Sequence, residues 1–259
     1  MTSQNPTPEK NNDDKVVDAI AESAAFRREV TFESQLMFVS VYLNHYIKES
    51  KAKFQHDIIC LTEDISISLA CIMAFRSSGK STLITLSTAL WSILGRHQQK
   101  FVLIICQTKT QARQAMENLR HELEANVLLK SDLGPFKEDN SGEWAMSSIV
   151  FANTDARITV ASIDQSMRGL RHRQHRPGLI ILDDVEDLNS TRTFETRQKL
   201  FDIFSREIVP LGHSKTRIIV IGNLLHEDSF MMRIKKLIDE NELRGVFCRY
   251  PLVDESGTC

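Results

Sequence analysis

The stretch from Cys71 to Thr82, CIMAFRSSGKST, constrains this chain more than any other. Before it, Ile65 to Ala74 is apolar and reads as a buried strand. After it, Ser81 to Leu94 has a helical pattern that stops at Gly95. Between them sits Arg76-Ser77-Ser78-Gly79-Lys80-Ser81-Thr82. A strand, a short loop, Gly-Lys-Ser and a helix make a phosphate-binding arrangement, because loop amides and the positive end of the helix dipole attract phosphate oxygens. Lys80 is placed to reach β- and γ-phosphates, and the Ser81 hydroxyl to hold Mg²⁺.

The order of elements predicts an α/β fold of the P-loop NTPase (RecA-like) class, with a mostly parallel central sheet flanked by helices. Phe101 to Cys106 is a short continuous apolar run, as in a strand buried on both faces. Thr108 and Gln111 form a capping box for a helix running to about Asn126. Ser147–Phe151 and Arg157–Ala161 read as a hairpin or sheet-edge insertion, after a turn-rich stretch from Leu133 to Trp144. Leu179–Leu182 and Arg217–Ile221 are further buried strands. Helices are expected from about Thr193 to Val209 and from Asp228 onward, and a last strand at Val246–Cys248. One glycine is out of pattern: Ala74 stands five residues before Gly79, where such loops usually carry glycine, so the chain must turn there with ordinary backbone.

Magnesium and an attacking water need carboxylates beside the phosphate loop. LIILDD supplies them, since strand ends in a parallel sheet face the ligand crevice. Asp183 is the candidate for Mg²⁺ and Asp184 for polarising the water, with Glu186 as fallback if Asp184 is too short to reach. A solvated acidic turn is the alternative. Asn223, at the end of IIVIGN, could sense the γ-phosphate or could be a plain strand-to-helix turn. Arg76 could sense the γ-phosphate from within the loop. The arginines from Arg168 and Arg171 to Arg176 have three readings: a finger reaching a neighbour's ATP, a contact to DNA phosphates, or a solvated loop. His172 and His175 read as polar loop rather than as a metal site. Gln35 or Gln55 could touch an adenine, though a lone glutamine is more often a solvated surface residue.

Composition narrows the rest. The 259 residues carry 32 basic and 34 acidic side chains, so no global charge draws the chain to nucleic acid, and DNA contact must use a local basic patch. No apolar run is long enough to span a bilayer, and the N-terminus has no secretory pattern. The five cysteines show no metal-type pairing and fit a reducing cytoplasm. The expected organisation is a disordered tail over 1–15, an N-terminal helical region over 16–53 with stripes Val16/Val17/Ile20 and Phe32/Leu36/Val39/Leu43, an ATPase domain over 54–251, and a linker or cut end over 252–259.

The order FRSSGKST, then SMRGLRHRQHRPGLIILDDVED, then IIVIGNLLHEDSF resembles the ATPase domain of tailed-phage terminase large subunits, over about Phe54 to Pro251. The resemblance implies a Mg²⁺-dependent ATPase motor that moves double-stranded DNA into a prohead. Its implied partners are the portal protein, the small terminase subunit and a ring of like subunits. The implied place is the host cytoplasm, transiently on the prohead and not in the mature virion. In family terms Lys80 and Ser81 match the Walker A residues, Asp183 the Walker B aspartate, Asp184 the catalytic acidic position, Gly222-Asn223 the coupling motif, and Arg76 an arginine often present in the Walker A loop. Departures are Ala74, Asp184 in place of a longer glutamate, and Leu224-Leu225 where relatives often show Arg-Trp. Terminase large subunits also carry a C-terminal nuclease domain. This sequence ends where that domain would begin, so no nuclease activity is expected of it. Competing readings are a helicase-like nucleic-acid ATPase and a nucleotide-gated DNA- or portal-binding module with little hydrolysis.

Overall fold

The computed structural model describes residues 23–46, 52–137 and 145–252. The expected tail over 1–15, the Val16/Val17/Ile20 stripe and the end from 253 lie outside them.

A seven-stranded sheet runs β3-β4-β2-β5-β6-β1-β7. Its strands are β1 (Leu69–Ala74), β2 (Phe101–Cys106), β3 (Ser148–Phe151), β4 (Ala156–Ser162), β5 (Leu179–Asp183), β6 (Arg217–Gly222) and β7 (Val246–Tyr250). All neighbours are parallel except β3, which returns antiparallel along β4 as the expected edge hairpin. The sheet confirms the α/β class with a mostly parallel central sheet flanked by helices.

Both faces are covered, which explains the unbroken apolar runs. Along the strands, side chains alternate between two cores. Ala70, Ile72, Val102, Ile104, Leu179, Ile181, Ile219 and Ile221 face one. Cys71, Met73, Leu103, Ile105, Ile180, Leu182 and Val220 face the other. The first core is closed by α2 (Gln35–Tyr42), α3 (Lys53–Glu63), the helix after the phosphate loop, α5 (Lys109–Ala125) and α6 (Val127–Leu133), and α1 (Ala24–Glu33) packs against α2 and α6. The second is closed by α7 (Phe194–Ile203) with the helical turns that follow it, and by α8 (Phe230–Asp239).

The N-terminal helices pack directly into the first core. Phe38, Val39, Tyr42 and Leu43 are buried there beside Ile84, Leu90 and Trp91. Ser34 divides this helical region into α1 and α2 by capping α2, its hydroxyl accepting from Met37 N–H. Of the expected second stripe, Phe32 is exposed while Val39 and Leu43 are buried. Gln35 is fully buried rather than solvated: its amide donates to Ser87 and Thr88 hydroxyls and accepts from Thr62. It braces the helix behind the phosphate loop.

That helix is π-helical over Ser81–Thr88 and becomes α4 over Ala89–Leu94. Its run of hydroxyls explains the wide turns. The Leu83 carbonyl accepts from Thr88 and Ser87 hydroxyls and from Gln35, so side chains replace part of the regular backbone ladder. It ends at Gly95, where a Cβ would lie 2.3 Å from the Trp91 indole nitrogen. Arg217, buried at the start of β6, donates to the carbonyls of Leu61, Thr62 and Ile67, which fixes the end of α3 against the sheet. Burial pushes its guanidinium down to about 10.

Candidate active site

The site forms at the carboxyl ends of β1, β5 and β6, the crevice where parallel sheets place their ligands. β6 lies between the other two, so the loop after β1, the acidic turn after β5 and Asn223 after β6 stand side by side.

Ala74 is the last residue of β1, 2% exposed and paired with Tyr250 of β7. The left-handed turns of the loop fall later, at Ser77 (φ 64°) and Gly79 (φ 79°). The chain therefore has no need of glycine at position 74. Gln55 on α3 donates to the Ser78 carbonyl at 3.3 Å, so it supports the loop from behind. Of the two glutamines weighed for a base contact, this one touches the loop and neither lines the cavity.

Asp183 follows Leu179 and Ile181 on the face covered by the phosphate-loop helix. It therefore meets that helix: Ser81 Oγ donates to its Oδ1 at 3.0 Å and Thr85 Oγ1 to its Oδ2 at 2.6 Å. Burial raises the affinity of Asp183 for a proton, and the neighbouring Asp184 adds to this; the Thr85 and Ser81 bonds oppose it. A hard divalent cation suits such a place, since Ser81 and Asp183 offer oxygen donors only.

Asp184 takes a left-handed backbone (φ 45°), with its N–H bonded to the Ile221 carbonyl at 2.9 Å. This turns its side chain toward Lys80 and Asn223. Lys80 Nζ lies 3.3 Å from Asp184 Oδ2 and 3.2 Å from Asn223 Oδ1, and Asn223 Nδ2 donates to Asp184 Oδ1 at 3.2 Å. The lysine, the acid and the amide form a closed triangle, with the lysine 5% exposed. A non-glycine residue held at positive φ in a crevice is a common mark of a working site.

A cavity of about 710 Å³ opens over this triangle, within the range of small-molecule sites. The loop from Arg76 to Thr82 forms one wall, and Asp184, Glu186 and Asn223 form another. Glu186 has one oxygen engaged, Oε1 accepting from Phe230 N–H at 2.6 Å at the start of α8. Burial raises its proton affinity. It is thus tied to a helix terminus, which leaves Asp184 as the carboxylate facing the lysine. Gln107 and Gln111 also line the cavity. Neither was singled out for chemistry from sequence, since Gln111 reads there only as a helix cap. Thr85 was likewise missed, although its place one turn after Ser81 was a signal.

Arg168 and Arg171 are not brought into this cavity. They line a separate hollow of about 270 Å³ with Arg176, Arg206 and Glu207. Arg168 Nη2 lies 3.5 Å from Glu207, and Arg176 donates to the Pro210 and Gly212 carbonyls. Neither arginine lines the cavity that holds its own Lys80. His172 and His175 face each other through paired backbone hydrogen bonds in a tight turn, with His172 bonded to the Asp155 carbonyl. No metal-type cluster occurs among the described residues.

No family model and no curated protein matches this chain. Solved structures do. The HK97 bacteriophage large terminase aligns with a TM-score of 0.52 at 15% identity, covering 78% of this chain and 39% of that one. The large terminase of a thermophilic bacteriophage, in complex with ADP, gives 0.51 at 10% identity, covering 78% and 45%. The chain has the fold of a large-terminase ATPase domain. Saccharomyces cerevisiae Dbp5 bound to Gle1 and IP6 aligns too, with a TM-score of 0.50 at 12% identity over 82% and 49%. The chain spans less than half the length of each of these proteins. No helix among the described residues is long and apolar enough to cross a membrane.

Proposed function

We propose that this chain is the ATPase module of a DNA-packaging terminase motor. The observation that carries the reading is the convergence of Lys80, Ser81, Asp183, Asp184 and Asn223 at three adjacent strand ends. Those residue types, so placed, suit phosphoryl transfer from a nucleoside triphosphate to water. The loop amides from Ser77 to Gly79, with Arg76, Ser78 and Thr82 around them, receive the phosphates. Lys80 balances charge on the β- and γ-phosphates. Ser81 and Asp183 would hold Mg²⁺, which would supply charge screening at the phosphates. Asp184 accepts the proton of the attacking water. Asn223 bonds both Lys80 and Asp184, so it is placed to report the γ-phosphate to the strand end it sits on.

In this reading the partners are double-stranded DNA, a portal protein, a small terminase subunit and further copies in a ring on the prohead, within the host cytoplasm. Arg168 or Arg171 acts on a neighbour's nucleotide or on DNA phosphates. A helicase-like ATPase is the second reading, favoured by the shared fold with Dbp5; strand separation by the pure protein would select it.

The test is Mg²⁺-ATP turnover against protein concentration, with Asp184→Asn as control. Turnover rising faster than linearly and lost in the variant is the expected result. Absence of both nucleotide binding and turnover overturns the reading.

A further inference from the structure

Thr85 lies one turn beyond Ser81 on the helix that leaves the phosphate loop, 4% exposed. The two hydroxyls take separate oxygens of one carboxylate: Ser81 donates to Asp183 Oδ1 at 3.0 Å and Thr85 to Oδ2 at 2.6 Å. Asp183 does not line the phosphate cavity. It lines a side compartment of about 230 Å³ with Thr85 and Asn118, which has Ser81, Thr82, Gln111 and Asp184 in common with the lining of the main cavity. The carboxylate is therefore reached from the side, and its orientation decides what it presents there.

We propose that Thr85 is a positioning residue for the cation: its hydroxyl holds Asp183 Oδ2, so that Oδ1, shared with Ser81, is the oxygen presented to Mg²⁺. This rests on the nucleotide reading above. The physical reason is torsional. A carboxylate turns broadly about its last bond, and one hydrogen bond on each oxygen removes that freedom. Without Thr85 the group turns away from the arrangement set by Ser81. Partners that orient a metal ligand typically change metal affinity by about 10- to 100-fold.

The experiment measures binding of fluorescent ADP to the full chain, in EDTA and across a Mg²⁺ titration. The variants are Thr85→Val, which keeps the shape and loses the donor, and Thr85→Ser, which keeps the donor. The valine variant is expected to raise the Mg²⁺ midpoint about tenfold or more, with EDTA affinity held within about twofold. The serine variant should match wild type, and valine should add nothing in an Asp183→Asn background. If the valine variant does not fold, Thr85→Ala takes its place with the same expectation. A folded valine or alanine variant with a wild-type midpoint overturns the proposal. So does a serine variant that fails as badly as valine, because packing of the methyl group then explains the effect. A wild type whose ADP affinity responds to Mg²⁺ upholds the nucleotide reading in either case. A wild type that binds no ADP in either condition overturns that reading and this proposal together.

Discussion

Lys80 Nζ and Asp184 Oδ2 stand 3.3 Å apart at the mouth of the cavity, with the lysine side chain 6% exposed and the aspartate 34%. Each is the other's counter-charge. In the proposed reading, a phosphate in the loop would compete with Asp184 for the lysine and would leave the carboxylate free to take a proton from water.

Asp184→Asn should therefore spare ADP binding, or tighten it slightly, and lower turnover by roughly 100-fold or more. Lys80→Ala should weaken ADP binding itself. Equilibrium binding together with phosphate release separates the two. Full turnover in Asp184→Asn would move the catalytic role to another carboxylate, and Glu186 would be tested next.

Restoring a glycine at Ala74 should not raise nucleotide affinity, because that residue is a paired strand position. It should cost about 0.5–1 kcal/mol of stability through added backbone freedom. Gly79→Ala should be the damaging change, since φ at 79 is positive. Nucleotide affinity and chemical denaturation of both variants check this. A gain of affinity in Ala74→Gly would show that the loop turns at position 74 after all.

Arg27 on α1 pairs with the fully buried Asp132 carboxylate of α6 at 2.6 Å, and Tyr42 donates to the same group at 3.1 Å. Arg27→Met removes the counter-charge of the buried Asp132 carboxylate and should destabilise the fold. Adding Asp132→Leu should recover much of the loss. Urea unfolding of the single and double variants reads the coupling directly. Additive losses would show that the pair is not a unit.

His97 packs edge-on against Trp91 at 4.5 Å between ring centres and donates from Nε2 to the Glu63 carbonyl. Burial pushes its pKa down to about 4, with Arg217 adding to the effect. The ring is thus neutral in the fold and charges more readily once unfolded, where its pKa is about 6.5. Its stabilising contribution is complete above that value and is lost as pH falls from about 6.5 toward 4. For a half-buried ring the loss should be roughly 1–2 kcal/mol. Melting temperatures of wild type and His97→Asn should therefore converge toward pH 4. A pH-independent gap would refute the shift.

Arg171→Ala should leave nucleotide binding of the isolated subunit unchanged, because Arg171 lines a hollow separate from the cavity of its own Lys80. A loss of turnover that grows with assembly supports action on a neighbour. An equal loss in a confirmed monomer argues against it.

Much of this was legible from the chain. β2 follows from an unbroken apolar run, and the order of strands and helices from alternation with capping signals. Lys80, Ser81 and the acidic pair follow from residue type beside a strand end. Other features were hidden because they depend on pairing between distant segments. Gln35 reads as a surface glutamine until Thr62, Ser87 and Thr88 are known to surround it. Arg217 reads only as the first residue of a buried strand, and no local signal shows that its guanidinium lies under the end of α3 and donates to the carbonyls there.

The sequence alone determined that a phosphate loop, an acidic strand end and an amide strand end lie on one parallel sheet, because hydrophobic periodicity and local turn chemistry act over a few residues. Only the tertiary structure decided how they meet. The register of β5 against its neighbours puts Asp183 on the helix side, and a left-handed residue turns Asp184 toward Lys80. Side-chain period along a strand and long-range strand pairing set those directions, and neither is written in any one segment.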